Sequence, residues 1–260
     1  MGEADALEAA LRAVDSLSIF FVTFSHCPAL EIPRKITELN NLKGLEIYNS
    51  TIADWSSDAA IRNKHHPFIS VVYLVRTNMT EFPRGLLDPD FPPSLMDLEM
   101  CRVNLTSLPN EFAARWPRHL TFLNWELSQL TAIPDFIGRF QIDQLSFAGN
   151  NIKQIPLELL SAQSPQVFSV ADNPSLTQLP ASVRDVSLLY KLQLDYTNLT
   201  SLPAWVESAV RLGCTASAGG TPLCGTHDRP SRVGCDVVDR HKIYRYPLEF
   251  KDAQRALSAA

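Results

Sequence analysis

Aliphatic residues recur along this chain in one spacing: a pair two apart, a polar position, two more aliphatics, then a closing proline. The clearest copies are Leu145, Phe147, Asn150, Ile152, Ile155, Pro156 and Leu192, Leu194, Thr197, Leu199, Leu202, Pro203. The template recurs eight times, with closing prolines at Pro33, Pro83, Pro109, Pro134, Pro156, Pro180 and Pro203 and Trp55-Ser56 in place of the closing pair in the second copy. Closings lie 22 to 27 residues apart. A unit of that size cannot bury its apolar face alone and must stack on its neighbours, so the period predicts one elongated solenoid.

Within each unit the paired aliphatics, such as Leu98 and Met100 or Leu123 and Trp125, alternate with other residues and lie on one face of a short strand pointing into the core. Leu105 and Leu108, or Leu130 and Ile133, turn the chain and fill the same core. Proline then ends the strand and launches a return segment. Ile36, Leu39 and Leu42, and Val183, Val186 and Leu189, have helical spacing, whereas the proline-rich stretch from Leu87 to Pro93 predicts an extended or 3₁₀ return. Strands are wider than such returns, so the stack should bend with its strands inside.

These copies resemble the leucine-rich repeat family, in the subclass whose units end in Leu/Ile-Pro, over roughly Ile19 to Trp205. The resemblance implies an α/β fold, a curved horseshoe of about eight repeats with short parallel strands on the concave face. The family's buried Asn position is held here by Cys27, Ser50, Thr77, Val103, Ser128, Asn150, Asn173 and Thr197. Hydroxyls can replace the amide's bonds to backbone and Val103 cannot, so the first five units are expected to be less regular. The chain divides into residues 1–18, an N-terminal helix or partial repeat with apolar positions from Ala4 to Leu17; residues 19–212, the repeat domain; and residues 213–260, a Cys-containing cap and tail. The tail, with Tyr244, Tyr246, Pro247, Leu248 and Phe250, is too apolar for a solvated linker and should fold back on the last unit, with Lys251 to Ala260 helical or frayed.

Repeats of this kind usually hold their partners on the concave face, at the strand positions flanking the core pair. Those positions in units two to five include Glu46, Tyr48, Val71, Tyr73, Val75, Asp97, Glu99, Phe122, Asn124 and Glu126. The apolar and aromatic members make a strip bordered by carboxylates, the composition of a protein-binding hot spot, while later units carry small polar residues. The expected partner is another protein or a peptide carrying basic residues. A register error of one residue would turn the whole set inward.

Net charge is −5, with +2 on residues 227 to 260 and −7 on the rest. An acidic solenoid is a poor polyanion binder, so no nucleic-acid partner is expected. No apolar run is long enough to cross a bilayer, and the acidic N-terminus does not read as a secretory signal. Two features nevertheless point outside the cell. Asn-x-Ser/Thr tripeptides begin at Asn49, Asn78, Asn104 and Asn198, although the repeat pattern itself also generates such tripeptides. The stretch Thr221-Pro222-Leu223-Cys224-Gly225 is similar to the cysteine caps of plant-type extracellular receptors and, more loosely, of oomycete surface repeat proteins. That resemblance implies a disulfide between Cys224 and Cys235, worth about 3 kcal/mol in the chain-entropy model, with Cys214 reduced or competing for a partner.

Enzyme chemistry finds no foothold. Phosphate loops, His-Glu-x-x-His and Gly-x-Ser-x-Gly are absent. Cys214, Cys224, His227, Cys235 and His241 could hold zinc, but the gaps between the cysteines are nine and ten residues, where structural zinc sites use tight pairs. His65-His66 reads as a solvated pair on the convex side. No cofactor and no metal are expected. The sequence thus predicts a ligand-binding repeat domain of a surface or secreted protein; the alternative is a cytosolic scaffold similar to the Ras-group repeat proteins.

Overall fold

The computed structural model describes residues 4–160, 165–226 and 231–258. After helix α1 (Ala4–Arg12), strands β1 (Phe21–Ser25), β3 (Gly44–Asp54), β4 (Val71–Asn78), β5 (Asp97–Cys101), β6 (His119–Glu126), β7 (Gln141–Ser146), β8 (Val167–Ser169), β9 (Lys191–Gln193) and β10 (Thr215–Ser217) stack side by side in chain order into one open parallel sheet. A short β2 (Leu30–Glu31) pairs with the far end of β3. Register follows the repeat. Val22, Leu45, Val72, Leu98, Leu123, Leu145, Phe168, Leu192 and Ala216 form one continuous row of paired positions, each in the core. Phe24, Ile47, Leu74, Met100 and Trp125 form the next.

Most returns close as single 3₁₀ turns just after the proline, at Arg34–Glu38, Arg84–Leu86, Asp135–Arg139 and Leu157–Leu160. True helix appears in α2 (Glu111–Arg115) and in α3 (Ala204–Arg211). The helical spacing of Ile36, Leu39 and Leu42 is satisfied by a turn and loop that bury all three, and Val183 to Leu189 form no helix. Such returns are too short for the cooperative nucleus a helix needs. His66 also departs from expectation. It is wholly buried, its Nδ1 accepting from the Arg62 backbone N–H and its Nε2–H donating to the Ile36 carbonyl at 2.8 Å, so it ties two returns together rather than facing solvent.

The polar ladder runs on either side of Val103 despite its mixed composition. Asn150 and Asn173 each accept one backbone N–H and donate to carbonyls of their own and the preceding unit. Ser50 and Ser128 each accept one N–H and donate to one carbonyl, and Thr77 bonds two carbonyls. Val103 contributes nothing from its side chain, but its own N–H is taken by Ser128 Oγ at 3.1 Å.

Both ends are covered. Leu7 and Leu11 of α1 pack against the first unit, and the Glu8 carboxylate caps the Lys35 N–H. At the other end β10 adds a ninth rung whose core positions are Ala216 and Ala218, too small for the sequence template to register. Leu223 and Val233 then close the core, joined by the Cys224–Cys235 disulfide with its Cα atoms 5.6 Å apart. Cys27, Cys101 and Cys214 are free and buried.

Candidate functional site

The sheet's outer face carries three parallel columns. The first runs Phe21, Gly44, Val71, Asp97, Phe122, Gln144; the second Thr23, Glu46, Tyr73, Glu99, Asn124, Ser146; the third Ser25, Tyr48, Val75, Cys101, Glu126. All ten residues expected at the partner site therefore share four adjacent strands, in the expected register. They do not form an open patch. Tyr48 is 5% exposed and Val75 and Glu126 are fully buried, while Val71, Tyr73 and Phe122 are half-buried. The covering is the chain's own tail.

That tail crosses the face at right angles to the strands, from the last unit back to the second, instead of stopping at the last unit. Tyr196 Oη donates to the Val238 carbonyl, and the Arg240 guanidinium stacks over the Tyr196 ring while pairing with Asp172 at 2.8 Å. Ile243, 1% exposed, packs on Ala148 and Ala171. The small residues of the later units thus make room for the tail. Tyr244 Oη donates to Asp172 at 2.6 Å, and Arg245 reaches Gln144. Next, the backbone N–H groups of Arg245 and Tyr246 both donate to the Glu126 carboxylate at 2.9 to 3.0 Å, which Ser146 Oγ also contacts. Tyr246 and Leu248 then join Tyr48, Val75 and Cys101 in an apolar cluster against Tyr73 and Leu127, and the Tyr246 hydroxyl meets Glu46 at 3.4 Å. Helix α4 (Leu248–Ser258) follows, where Asp252 takes Arg76 and the Tyr48 hydroxyl.

A fourth column, absent from the sequence reading, holds the rim of this seat. The residue just past each third-column position lies in the left-handed region: His26, Asn49, Arg76, Arg102, Leu127, Gly149, Asp172, Tyr196 and Gly220, with φ between 45° and 75°. Only two are glycine. For the others that conformation costs about 1 kcal/mol each. Arg76, Leu127, Asp172 and Tyr196 are among the residues that hold the tail. Recurrence at one offset in the template was a signal available in the sequence, but the residue types there share no chemistry.

Electrostatics under the tail are unusual. Burial raises Glu126, against the three hydrogen bonds that favour its charged form. Asp97 is pushed up to about 6, mainly by burial, although Tyr73 Oη donates to it at 2.9 Å. Glu99 is raised well above the ordinary carboxylate range by burial and by Asp97 beside it; Asn124 Nδ2 donates to it at 2.8 Å. A raised native pKa means the folded state binds the extra proton, so its stabilisation is complete below the unfolded value near 3.8 and is lost as pH rises through about 6. His66, whose pKa burial lowers, acts oppositely in part of that window. Asp97→Asn removes that carboxyl and relieves Glu99 beside it, so between pH 4.5 and 7.5 the wild type should lose stability relative to the variant. Thermal melts across that range check it, and parallel curves would refute it.

The four Asn-x-Ser/Thr asparagines Asn49, Asn78, Asn104 and Asn198 are all exposed, Asn104 also accepting from the Met79 N–H and Asn49 bonding His26. Cys224, with Cys235, is committed to the disulfide, and His227 lies outside the described residues. Among the described residues no group of His, Cys, Asp and Glu is placed to hold a metal, and no helix is long and apolar enough to cross a membrane.

No protein-family model and no curated protein matches the chain. Solved structures do. A leucine-rich repeat protein of Leptospira interrogans aligns over 75% of this chain and 49% of its own, at 21% identity and a TM-score of 0.60. The leucine-rich repeat domain of the type III effector XopL aligns over 76% of this chain and 67% of its own, at 20% identity and a TM-score of 0.59. A chain of the Drosophila Toll–Spätzle complex aligns over 80% of this chain and 31% of its own, at 14% identity and a TM-score of 0.57. This chain thus spans about half the length of the Leptospira protein and a third of the Toll–Spätzle chain. At these identities the likeness is one of fold, and together with the repeat and its register it gives this chain the curved solenoid of the leucine-rich repeat proteins.

Proposed function

We propose that the chain is a non-enzymatic recognition module that binds a basic polypeptide segment on its concave face, at a cell surface or outside the cell. The observation that carries this reading is the seat itself: three columns presenting Glu46, Tyr73, Asp97, Glu99 and Glu126, with a polypeptide bearing Arg245 between two tyrosines lodged along them. Buried aromatics beside desolvated charges are what concentrate binding energy in protein interfaces. The Toll–Spätzle complex is a protein–protein assembly on the same fold. Among the described residues no metal cluster competes with this reading.

The setting is argued from the disulfide and from the exposed asparagines, since disulfides persist in oxidising compartments. Of five cysteines, three are expected to react with a thiol reagent when the purified protein is denatured without reductant. Five reactive thiols would point to the cytosolic alternative.

Panning a displayed library of random linear peptides on the immobilised full chain tests recognition. Enrichment of Arg or Lys beside aromatic residues, with binding weakened at least tenfold by Asp97→Asn combined with Glu99→Gln, supports the reading. Enriched peptides that are acidic, or indifferent to those changes, would overturn it.

A further inference from the structure

The tail is held by contacts of two kinds, and they differ in what they read. Glu126 takes two consecutive backbone N–H groups, those of Arg245 and Tyr246, which the bend at these residues turns to one side and which a segment with non-proline residues at both positions can supply. The flanking seats read side chains. Ala148 and Ala171 accept an aliphatic residue, here Ile243; the Tyr48, Val75 and Cys101 cluster accepts an aromatic one, here Tyr246; and Gln144 meets the basic residue between them. Arg76 offers a cation to the carboxylate of Asp252 beyond. The occupant is therefore a short non-helical strip, about residues 244–247, set between the 3₁₀ turn Arg240–Lys242, which Ile243 closes in the right-handed helical region, and helix α4.

Several features separate this seat from ordinary core. The clusters beneath Ile243 and beneath Tyr246 and Leu248 are distinct from the main hydrophobic core, which contains neither. The solenoid closes its own end without the tail, through Leu223, Val233 and the disulfide. The tail's outer surface is wet, with Val237 71% and Phe250 62% exposed, and its ion pairs to Asp172 and Arg76 are partly solvated. Beneath it Asp97 takes the Tyr73 hydroxyl and Glu99 the Asn124 amide, and the charge of Arg245 in the tail favours the ionised form of Glu99. Segments bound by small satellite clusters and solvated ion pairs belong to the low end of the local stability range.

We infer that residues 238–252 are a tethered occupant of the recognition groove, and that the partner is a bent, non-helical segment of the same pattern, aliphatic–x–basic–aromatic, which binds by displacing the tail. This rests on the recognition reading above and specifies its ligand. A tether gives the tail an effective concentration in the millimolar range, so a free segment making the same contacts competes poorly until the tail is loosened or until it makes additional contacts. Half-exposed Phe21, at the start of β1, and Met96, just before β5, with half-buried Val71 and Phe122, lie in or next in sequence to the first column of this face and offer such contacts to a longer or larger partner.

A synthetic peptide of residues 237–258, labelled with a fluorophore, is the probe. Its binding is measured by anisotropy to the full chain in three forms: wild type, Ile243→Ala with Tyr246→Ala, and Arg76→Ala. The double variant removes two of the tail's apolar side-chain anchors and leaves every groove residue in place; Arg76→Ala weakens both tail and peptide. The peptide should bind the double variant at least tenfold tighter than the wild type, and unlabelled peptide should compete. Hydrogen exchange on the same samples shows whether the solenoid is intact and the tail amides released. With the tail released and the solenoid protected, equal peptide affinity for wild type and double variant overturns the inference, as does peptide binding to neither. Peptides from panning separate the two claims: if they bind both forms equally and remain sensitive to Asp97→Asn with Glu99→Gln, recognition stands and displacement falls. If nothing binds either form, the recognition reading falls as well.

Discussion

Asn173→Ala is expected to lower stability by about 3 kcal/mol, the largest effect foreseen for any single polar substitution in the solenoid. The side chain is fully buried. Its Oδ1 accepts the Ile152 N–H at 2.9 Å, and its Nδ2 donates to the carbonyls of Phe147 and Val170 at 2.9 Å each. Alanine leaves the Ile152 donor buried with no partner, and a stranded donor costs about 1–3 kcal/mol before the lost carbonyl bonds are counted. Water cannot easily replace the amide, because the position is enclosed by Phe147, Val170 and Leu176, all of them buried. The ladder supplies an internal control. Ser128 occupies the same position but makes one bond to the Val103 N–H and one to the Glu126 carbonyl, and it is half-exposed, so Ser128→Ala should cost only about 1 kcal/mol. Urea unfolding monitored by tryptophan fluorescence reads both. Equal costs would show that the ladder does not work through its count of buried bonds.

The second large effect is local. Glu126→Ala removes the acceptor for the Arg245 and Tyr246 N–H groups and for Ser146 Oγ, a loss of about 3 kcal/mol if the tail stayed in place. The tail need not stay. Once lifted, its amides and Ser146 meet water, so the damage is capped at the free energy that docks the tail, and the solenoid beneath keeps its own core. The expected signature is therefore split: exchange of the tail amides accelerates at least tenfold while the midpoint of global unfolding moves by only a few degrees. A global collapse would mean the tail is part of the core rather than an occupant of a groove. Reversing the charge of Asp252, which holds Arg76 and the Tyr48 hydroxyl, should produce a weaker version of the same split.

The repeat made the sheet legible down to the residue. Leu98 and Met100 sit in the core, and Glu99 between them on the opposite face, because a period of two admits no other arrangement once both ends of the unit are pinned by the closing proline. The place of the ten candidate residues on the opposite face was legible for the same reason. Their burial was not. Tyr246 contacts Glu46 from 200 positions away, and no periodicity links the tail to the face it covers. What meets Glu126 comes from within the chain, through two backbone N–H groups, which leave no mark in a sequence. His66 was misplaced because a histidine beside proline in a return resembles a solvated loop residue, and only the approach of the Ile36 carbonyl shows otherwise. The ninth rung escaped notice because Ala216 and Ala218 stand where leucines were sought.

The most direct measurement is amide hydrogen exchange at Arg245 and Tyr246 in the full, unmodified chain, compared with the free peptide of residues 237–258. Docking on Glu126 predicts exchange at least 100-fold slower in the chain than in the peptide, with both amides slowed together. Exchange at the peptide's rate would mean that the concave face is open and that no segment of this chain rests on it.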